Sequence, residues 1–325
     1  MKKLFVKSTL YLFLIIIALE VFVRAFHLYT ETPVRYIDEF NVEKSLSNQT
    51  GHAVTGNRKQ NYSEYRINGF GFNSFREFTP TEEKIEVALI GDSFIEGFHQ
   101  DYFDSTGKKI ENRLQNIEIY EYGYGGYDLA NQLYLVHTYK EHFDKIYHII
   151  FYLKVAYEGT LNELYENDLK NNTYVPNHSR IALLKSLPFR IRDNFKLLSY
   201  ASSIGIVNPI KKLAISIMNG KKEPRLKHDS DLLKEELENL KNFKTLLDTL
   251  GFDKNKMTFL LNSTTTNHVF LNYCNEKGYQ VIDFSDAFEK SINSPTLIYD
   301  MHWNNHGRDL IAFEISNYLK TKLSL

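Results

Sequence analysis

The longest apolar stretch lies near the N-terminus. Leu10-Tyr11-Leu12-Phe13-Leu14-Ile15-Ile16-Ile17-Ala18-Leu19 follows three lysines, Lys2, Lys3 and Lys7, and the stretch continues to Phe26, interrupted by Glu20 and Arg24. Residues 4–26 reach the roughly 20 residues that a helix needs to cross a bilayer core. Glu20 and Arg24 are one helical turn apart and are expected to pair near the far interface. No small-x-small cleavage site follows, since Val23-Arg24-Ala25-Phe26 is a poor one. The run is therefore read as an uncleaved signal anchor. Lysines on the N-terminal side predict a single pass with the N-terminus inside and the body outside the cytoplasm.

Residues 27–83 are polar, with few long apolar periods, and are read as an extended arm between membrane and body. From residue 85 the pattern changes. Short apolar runs at 85–90, 117–122, 146–153, 257–261 and 279–284 predict buried strands. Helical patterns at 106–114, 128–139 and 305–319 alternate with them. That order predicts an α/β fold, a three-layer α/β/α sandwich around a central parallel sheet. An insertion at about 155–255 interrupts it, too long for a structureless loop. Leu183, Leu184, Leu187, Phe189, Ile191, Phe195, Leu197 and Leu198 predict short helices over the sheet or a lid. Residues 220–227 read as a solvated basic linker. Residues 231–250 predict an amphipathic helix with Leu233, Leu237, Leu240 and Leu247 on one face. The organisation expected is 1–26 anchor, 27–83 arm and 84–325 catalytic domain.

Composition narrows this reading little. The 325 residues, 43% hydrophobic, suffice for one large α/β domain. A net charge of −1 gives no sign of a nucleic-acid partner. The single cysteine, Cys274, excludes an internal disulfide and a cysteine-cluster metal site. No phosphate loop, His-Glu-x-x-His or dinucleotide fingerprint is present, and His99 and His137 look unclustered, so neither cofactor nor metal is expected.

Two short blocks carry the chemistry. Gly91-Asp92-Ser93-Phe94 ends the first apolar run, and Asp300-Met301-His302-Trp303-Asn304-Asn305-His306-Gly307 precedes the last helix. They supply a serine, a histidine and an acid, the parts of a nucleophilic hydrolase or acyltransferase. Ser93 is the candidate nucleophile, His302 the general base and Asp300 the group that orients and charge-balances it. His306, one turn on, is the competing base. Ser93 would sit where a strand hands over to a helix, with its own N–H free to help an oxyanion.

Gly91-Asp92-Ser93 resembles the first block of the SGNH/GDSL hydrolase superfamily, and Asp300-Met301-His302-Trp303 resembles its last. The Asp-x-His-Trp spacing is similar to a membrane-anchored branch that includes O-acetylesterases and alginate-type O-acetyltransferases. Asn68-Gly69-Phe70-Gly71-Phe72-Asn73-Ser74-Phe75-Arg76 resembles the lead-in to the Gly-Asp-Ser strand in such proteins. The resemblance implies a flavodoxin-like SGNH fold. It also implies a second oxyanion donor in Gly123-Tyr124-Gly125-Gly126, best matched by Gly126 with Gly125 as the alternative. The family's third block usually supplies an Asn. Here that stretch reads Leu153-Lys154-Val155-Ala156-Tyr157-Glu158, with Lys154, Tyr157 or Asn162 as substitutes. The resemblance implies hydrolysis or transfer of O-acyl groups, foremost O-acetyl groups of an envelope or exported glycan. Its alternatives are a lipid or thioester esterase, or a degenerate SGNH module that binds glycan or scaffolds a complex. The partners implied are that substrate and the membrane; no protein partner is legible.

Overall fold

The computed structural model describes residues 2–56, 59–154, 178–206, 229–298 and 301–323. Helix α1 (Lys2–Ala25) carries the apolar run, with lysines at its start and Glu20 and Arg24 near its end, and only Val23 is buried against the rest of the chain. It is long and apolar enough to cross a membrane. The segment 27–83, expected to run as an extended arm, folds instead as two antiparallel hairpins. One joins β1 (Arg35–Ile37) to β2 (Glu43–Ser45), the other β3 (Thr50–Thr55) to β4 (Asn61–Arg66). Both pack on the body. Its polar composition misled because the polar groups are buried in pairs, and pairing removes most of the cost of burial. Lys44 Nζ lies 2.8 Å from Asp38 and receives the faces of Phe70 and Tyr139. Phe72 and Val42 enter the main core.

The five apolar runs form one parallel sheet: β5 (Ile85–Gly91), β6 (Ile117–Gly123), β7 (His148–Tyr152), β8 (Met257–Leu261) and β9 (Val281–Asp283). Their order is β6-β5-β7-β8-β9, which is the 2-1-3-4-5 order of flavodoxin-like folds. Alternate residues of a strand face opposite sides. Ala88 and Ile90 of β5 join one core, Val87 and Leu89 the other. The sheet is thus covered on both faces, as expected.

Helices α2 (Ser93–Glu96) and α3 (Thr106–Glu111) follow β5, and α4 (Leu129–Thr138) and α5 (Lys140–Phe143) follow β6. The described parts of the insertion are helical: α6 (Ser179–Lys185), α7 (Leu187–Asn194), α8 (Lys196–Ser203) and α9 (Asp229–Leu250). Residues 155–177 and 207–228, with the expected basic linker, lie outside the described residues. Helices α6–α8 pack against one another and α1 rather than spreading over the sheet. Helix α9 buries Phe243, Leu246, Leu247 and Leu250, while Leu233 and Leu237 stay exposed. The apolar stripe therefore meets the core only along the second half of the helix. Helices α10 (His268–Lys277), α11 (Ser285–Glu289) and α12 (Asn305–Leu323) complete the chain.

Candidate active site

Strand β5 ends at Gly91, and the Asp92 carboxylate caps the one-turn helix α2 by accepting from the Phe94 N–H at 2.9 Å. Ser93 is the first residue of that turn, so its N–H has no partner within the helix. Gly97 closes the turn in the left-handed conformation at φ +69°, which glycine adopts without a Cβ penalty. Gly123 at the end of β6 meets the turn backbone to backbone. A Cβ there would fall 1.8 Å from the Glu96 nitrogen.

A closed loop before α12 presents His302. The Leu297 N–H donates to the His302 carbonyl at 2.9 Å, and the Asn304 N–H to the Pro295 carbonyl at 3.0 Å. The Asn304 side chain donates to the carbonyls of Ser294 and Thr296. Trp303 is buried edge-on to Phe94 and Tyr152, so it packs the turn. This arrangement brings His302 Nε2 to 2.7 Å from Ser93 Oγ, across 209 positions of sequence. Both side chains remain half-exposed. Asp300 lies outside the described residues. His306 is committed elsewhere: its Nε2 lies 2.7 Å from Ser291 Oγ.

Three groups escaped the sequence reading. His99, taken as unclustered, stacks on His302 with ring centroids 4.1 Å apart. Strand β4 holds the His99 loop, where Asn61 Nδ2 donates to the His99 carbonyl and Ser63 Oγ to that of Phe98. Asn73, from the Asn68–Arg76 stretch, donates to the Glu96 carbonyl at 2.7 Å. The second group is a charged cluster behind the serine. Arg35 pairs with Glu96 at 2.9 Å, both nearly fully buried, and lies over the Tyr124 ring. The Tyr124 hydroxyl donates to Glu43 at 2.6 Å. The third is Arg308, fully buried, whose Nη1 donates to the Phe94 carbonyl at 2.8 Å and so ties α12 to the serine turn. The only signal for them was an arginine or histidine in a segment otherwise read as helix or arm.

The two glycines expected to flank the oxyanion behave differently. A Cβ on Gly125 would lie 3.6 Å from Ser93 Cβ and 2.7 Å from Glu96 Oε2, so this residue abuts the serine. Gly126 has φ +107° and open space where its Cβ would be. Of the proposed third donors, Lys154 is described: its Nζ sits 5.1 Å from the Phe94 ring centroid. Tyr157 and Asn162 lie outside the described residues. Burial raises the Asp92 carboxyl, opposed by its Phe94 hydrogen bond and by Lys154 and His302. A cleft of about 320 Å³ opens between the β3–β4 hairpin and the His302 loop, lined by Thr55, Gln60, Asn61, Thr296, Leu297, Ile298 and Asn304.

Beneath the serine turn, Glu121 is wholly buried and accepts from the Gly107 N–H at 2.8 Å. Burial pushes its carboxyl from 4.5 up to about 7. The folded chain therefore holds this proton where the unfolded chain has lost it, between about pH 4.5 and 7. Stability falls as pH rises through that window, by up to about 3 kcal/mol. Wild-type protein in detergent should show an apparent Tm that drops from pH 5 to pH 8. Glu121→Gln should flatten the drop; an unchanged slope would assign it to other groups.

No protein-family model matches the chain, and no curated protein matches it. Several solved structures are similar. One is a member of the lipolytic protein G-D-S-L family from Veillonella parvula, at 13% identity and TM-score 0.35 over 71% of this chain and 96% of that one. A lipase from a goat rumen metagenome gives 13% identity and TM-score 0.39 over 72% and 96%. A lipase/acylhydrolase from Enterococcus faecalis gives 10% identity and TM-score 0.38 over 73% and 96%. Likeness this distant assigns no activity to the chain.

Proposed function

We propose that this chain is an SGNH-type serine ester hydrolase, anchored by α1 and acting outside the cytoplasm on O-acyl groups, foremost O-acetyl groups, of an envelope or exported glycan. The observation that carries the reading is the 2.7 Å approach of Ser93 Oγ to His302 Nε2. A serine becomes nucleophilic when a base within hydrogen-bond reach takes its proton. Ser93 Oγ attacks the acyl carbon as His302 Nε2 accepts the proton. Asp300, two residues before His302, orients the ring and offsets its charge. The oxyanion is met by the N–H groups of Ser93 and Gly126, where a positive φ allows close backbone approach. Collapse expels the alcohol, protonated by His302. Water then attacks the acyl carbon as His302 takes its proton, and collapse breaks the bond to Ser93 Oγ, which receives that proton back from His302 as the acid leaves.

The glycan half of the proposal draws on the cleft beside His302. Its lining sets the amides of Gln60, Asn61 and Asn304 and the hydroxyls of Thr55 and Thr296 beside the apolar Leu297 and Ile298, a mixture that suits a sugar ring with its hydroxyls and C–H faces. A fluorophosphonate probe should label wild-type protein on Ser93, and absence of labelling would favour a non-catalytic module. Transfer competes with hydrolysis at the acyl-enzyme. Given an acetyl donor with a panel of envelope oligosaccharides, the enzyme should release free acetate, followed by mass spectrometry. Acetylated sugar as the main product at saturating acceptor would replace the esterase reading by the transferase.

A further inference from the structure

The described half of the insertion carries an unusual surface. Leu183, Leu187, Ile191, Phe195, Leu198 and Ile206 are between 43% and 68% exposed. Leu187 and Ile191 are four apart on α7 and therefore share a face. Basic side chains accompany them: residues 178–206 contain Arg180, Lys185, Arg190, Arg192 and Lys196 against one acid, Asp193. Exposed apolar residues interleaved with cations are the composition of a helix that lies in a membrane interface.

What sets this surface apart from a bare apolar patch is its attachment. The Glu20 carboxylate on α1 accepts from the N–H groups of Lys196 and Leu197, at 3.0 and 2.7 Å, and so caps the first turn of α8. Arg24 donates to the Asn194 carbonyl at 2.8 Å, at the end of α7. Lys196 Nζ lies over the Tyr29 ring. Glu20 and Arg24, with Tyr29 just beyond the helix, lie at the end of the apolar run, where a spanning helix leaves the hydrocarbon. They hold the α7–α8 junction at that level. Exposed leucine, isoleucine and phenylalanine at that depth meet acyl chains and headgroups rather than bulk water.

We infer that α6–α8 form a docking face for the leaflet from which α1 emerges, with Leu187, Ile191 and Phe195 seated among the acyl chains and the exposed Lys185 and Arg190 at anionic headgroups. The inference rests on α1 being a membrane anchor and is independent of the catalytic reading. Its consequence for the site is positional. At the N-terminal end of α6, His178 lies 3.8 Å from Glu43, and Arg180 feels the charges of Arg35 and Glu96. One short helical run thus joins the cluster behind Ser93 to the bilayer surface.

The test uses the full chain in nanodiscs of phosphatidylcholine and phosphatidylglycerol with brominated acyl chains. Single cysteines at Leu14→Cys, Leu187→Cys, Ile191→Cys, Phe195→Cys and Tyr147→Cys carry bimane. Cys274 is buried and its thiol is pushed up to about 12, so the native thiol stays unlabelled. Tyr147 is exposed just before the central strand β7, at the end of the sheet opposite the serine turn. The expected result is loss of fluorescence in brominated lipid at residues 187, 191 and 195, comparable with that at residue 14, and none at residue 147. Quenching at residue 14 alone would overturn the docking face and leave the anchor standing. No quenching at residue 14 would overturn both. Labels at 187–195 shielded from brominated lipid and from aqueous iodide alike would mean that a protein covers the face, which also overturns the inference.

Discussion

Ser93→Ala and His302→Ala should each lower p-nitrophenyl acetate turnover by about 10⁴-fold or more, with the protein still folded. Each ten-fold in rate is about 1.4 kcal/mol, so the loss corresponds to roughly 5 kcal/mol of transition-state stabilisation. The reason is the 2.7 Å pairing of the two side chains. Without the hydroxyl no acyl-enzyme forms; without the imidazole the hydroxyl keeps its proton. Because the two act as one unit, the double variant should be hardly slower than either single one. His306→Ala should leave turnover near the wild-type level, since that imidazole is bonded to Ser291. Steady-state kinetics on the four proteins in detergent decides the matter. Full activity in Ser93→Ala would remove Ser93 as nucleophile, and additive losses would show that the pair does not act together.

Gly123→Ala should be nearly as damaging, although residue 123 contributes no side chain to the chemistry. Its Cβ would stand 1.8 Å from the Glu96 nitrogen and 2.2 Å from the Ile95 carbonyl carbon. Both are backbone atoms, so no rotamer change can relieve the contact, and the β6 end must separate from the α2 turn. Overpacking of this kind costs about 3 kcal/mol or more. Any shift of the turn also moves Ser93 away from His302, and a misplacement of about 1 Å costs on the order of 100-fold in rate. Gly278→Ala, at the end of α10 and away from the site, is the control. Its Cβ meets nothing within 4 Å, and the cost is that of the left-handed conformation at φ +69° alone, roughly 1–2 kcal/mol. Thermal unfolding and kcat/KM measured together should rank Gly123→Ala far below Gly278→Ala in both. Equal behaviour would show that the β6 end and the α2 turn are not in backbone contact.

The parallel sheet was legible because buried strands are nearly continuous apolar runs, and β5, β6, β7 and β8 are of that kind. The serine stood out because it follows such a run at a Gly-Asp-Ser step, and the histidine because an acid and a tryptophan flank it close to the last helix. The hairpins of residues 27–83 were not legible. Periodicity reports burial of apolar residues, whereas β2 buries Glu43, Lys44 and Ser45. The partners that make this tolerable, Tyr124, Asp38 and Tyr139, are distant in sequence or unremarkable within it. Helices α6–α8 were legible as helices, but not their packing on one another and on α1. An amphipathic pattern shows that one face seeks an apolar neighbour but does not name the neighbour.

The order of elements, the apolar N-terminal helix and the Gly-Asp-Ser and Asp-x-His blocks are local properties, written in runs of a few residues, and the sequence alone displayed them. Only the tertiary structure decided which histidine meets Ser93, that His99 stacks on it, and that Arg308 and the hairpins brace the serine turn. Those are pairings between segments up to 214 residues apart. Each depends on backbone geometry and complementary charge at the point of contact, which no single stretch of the chain contains.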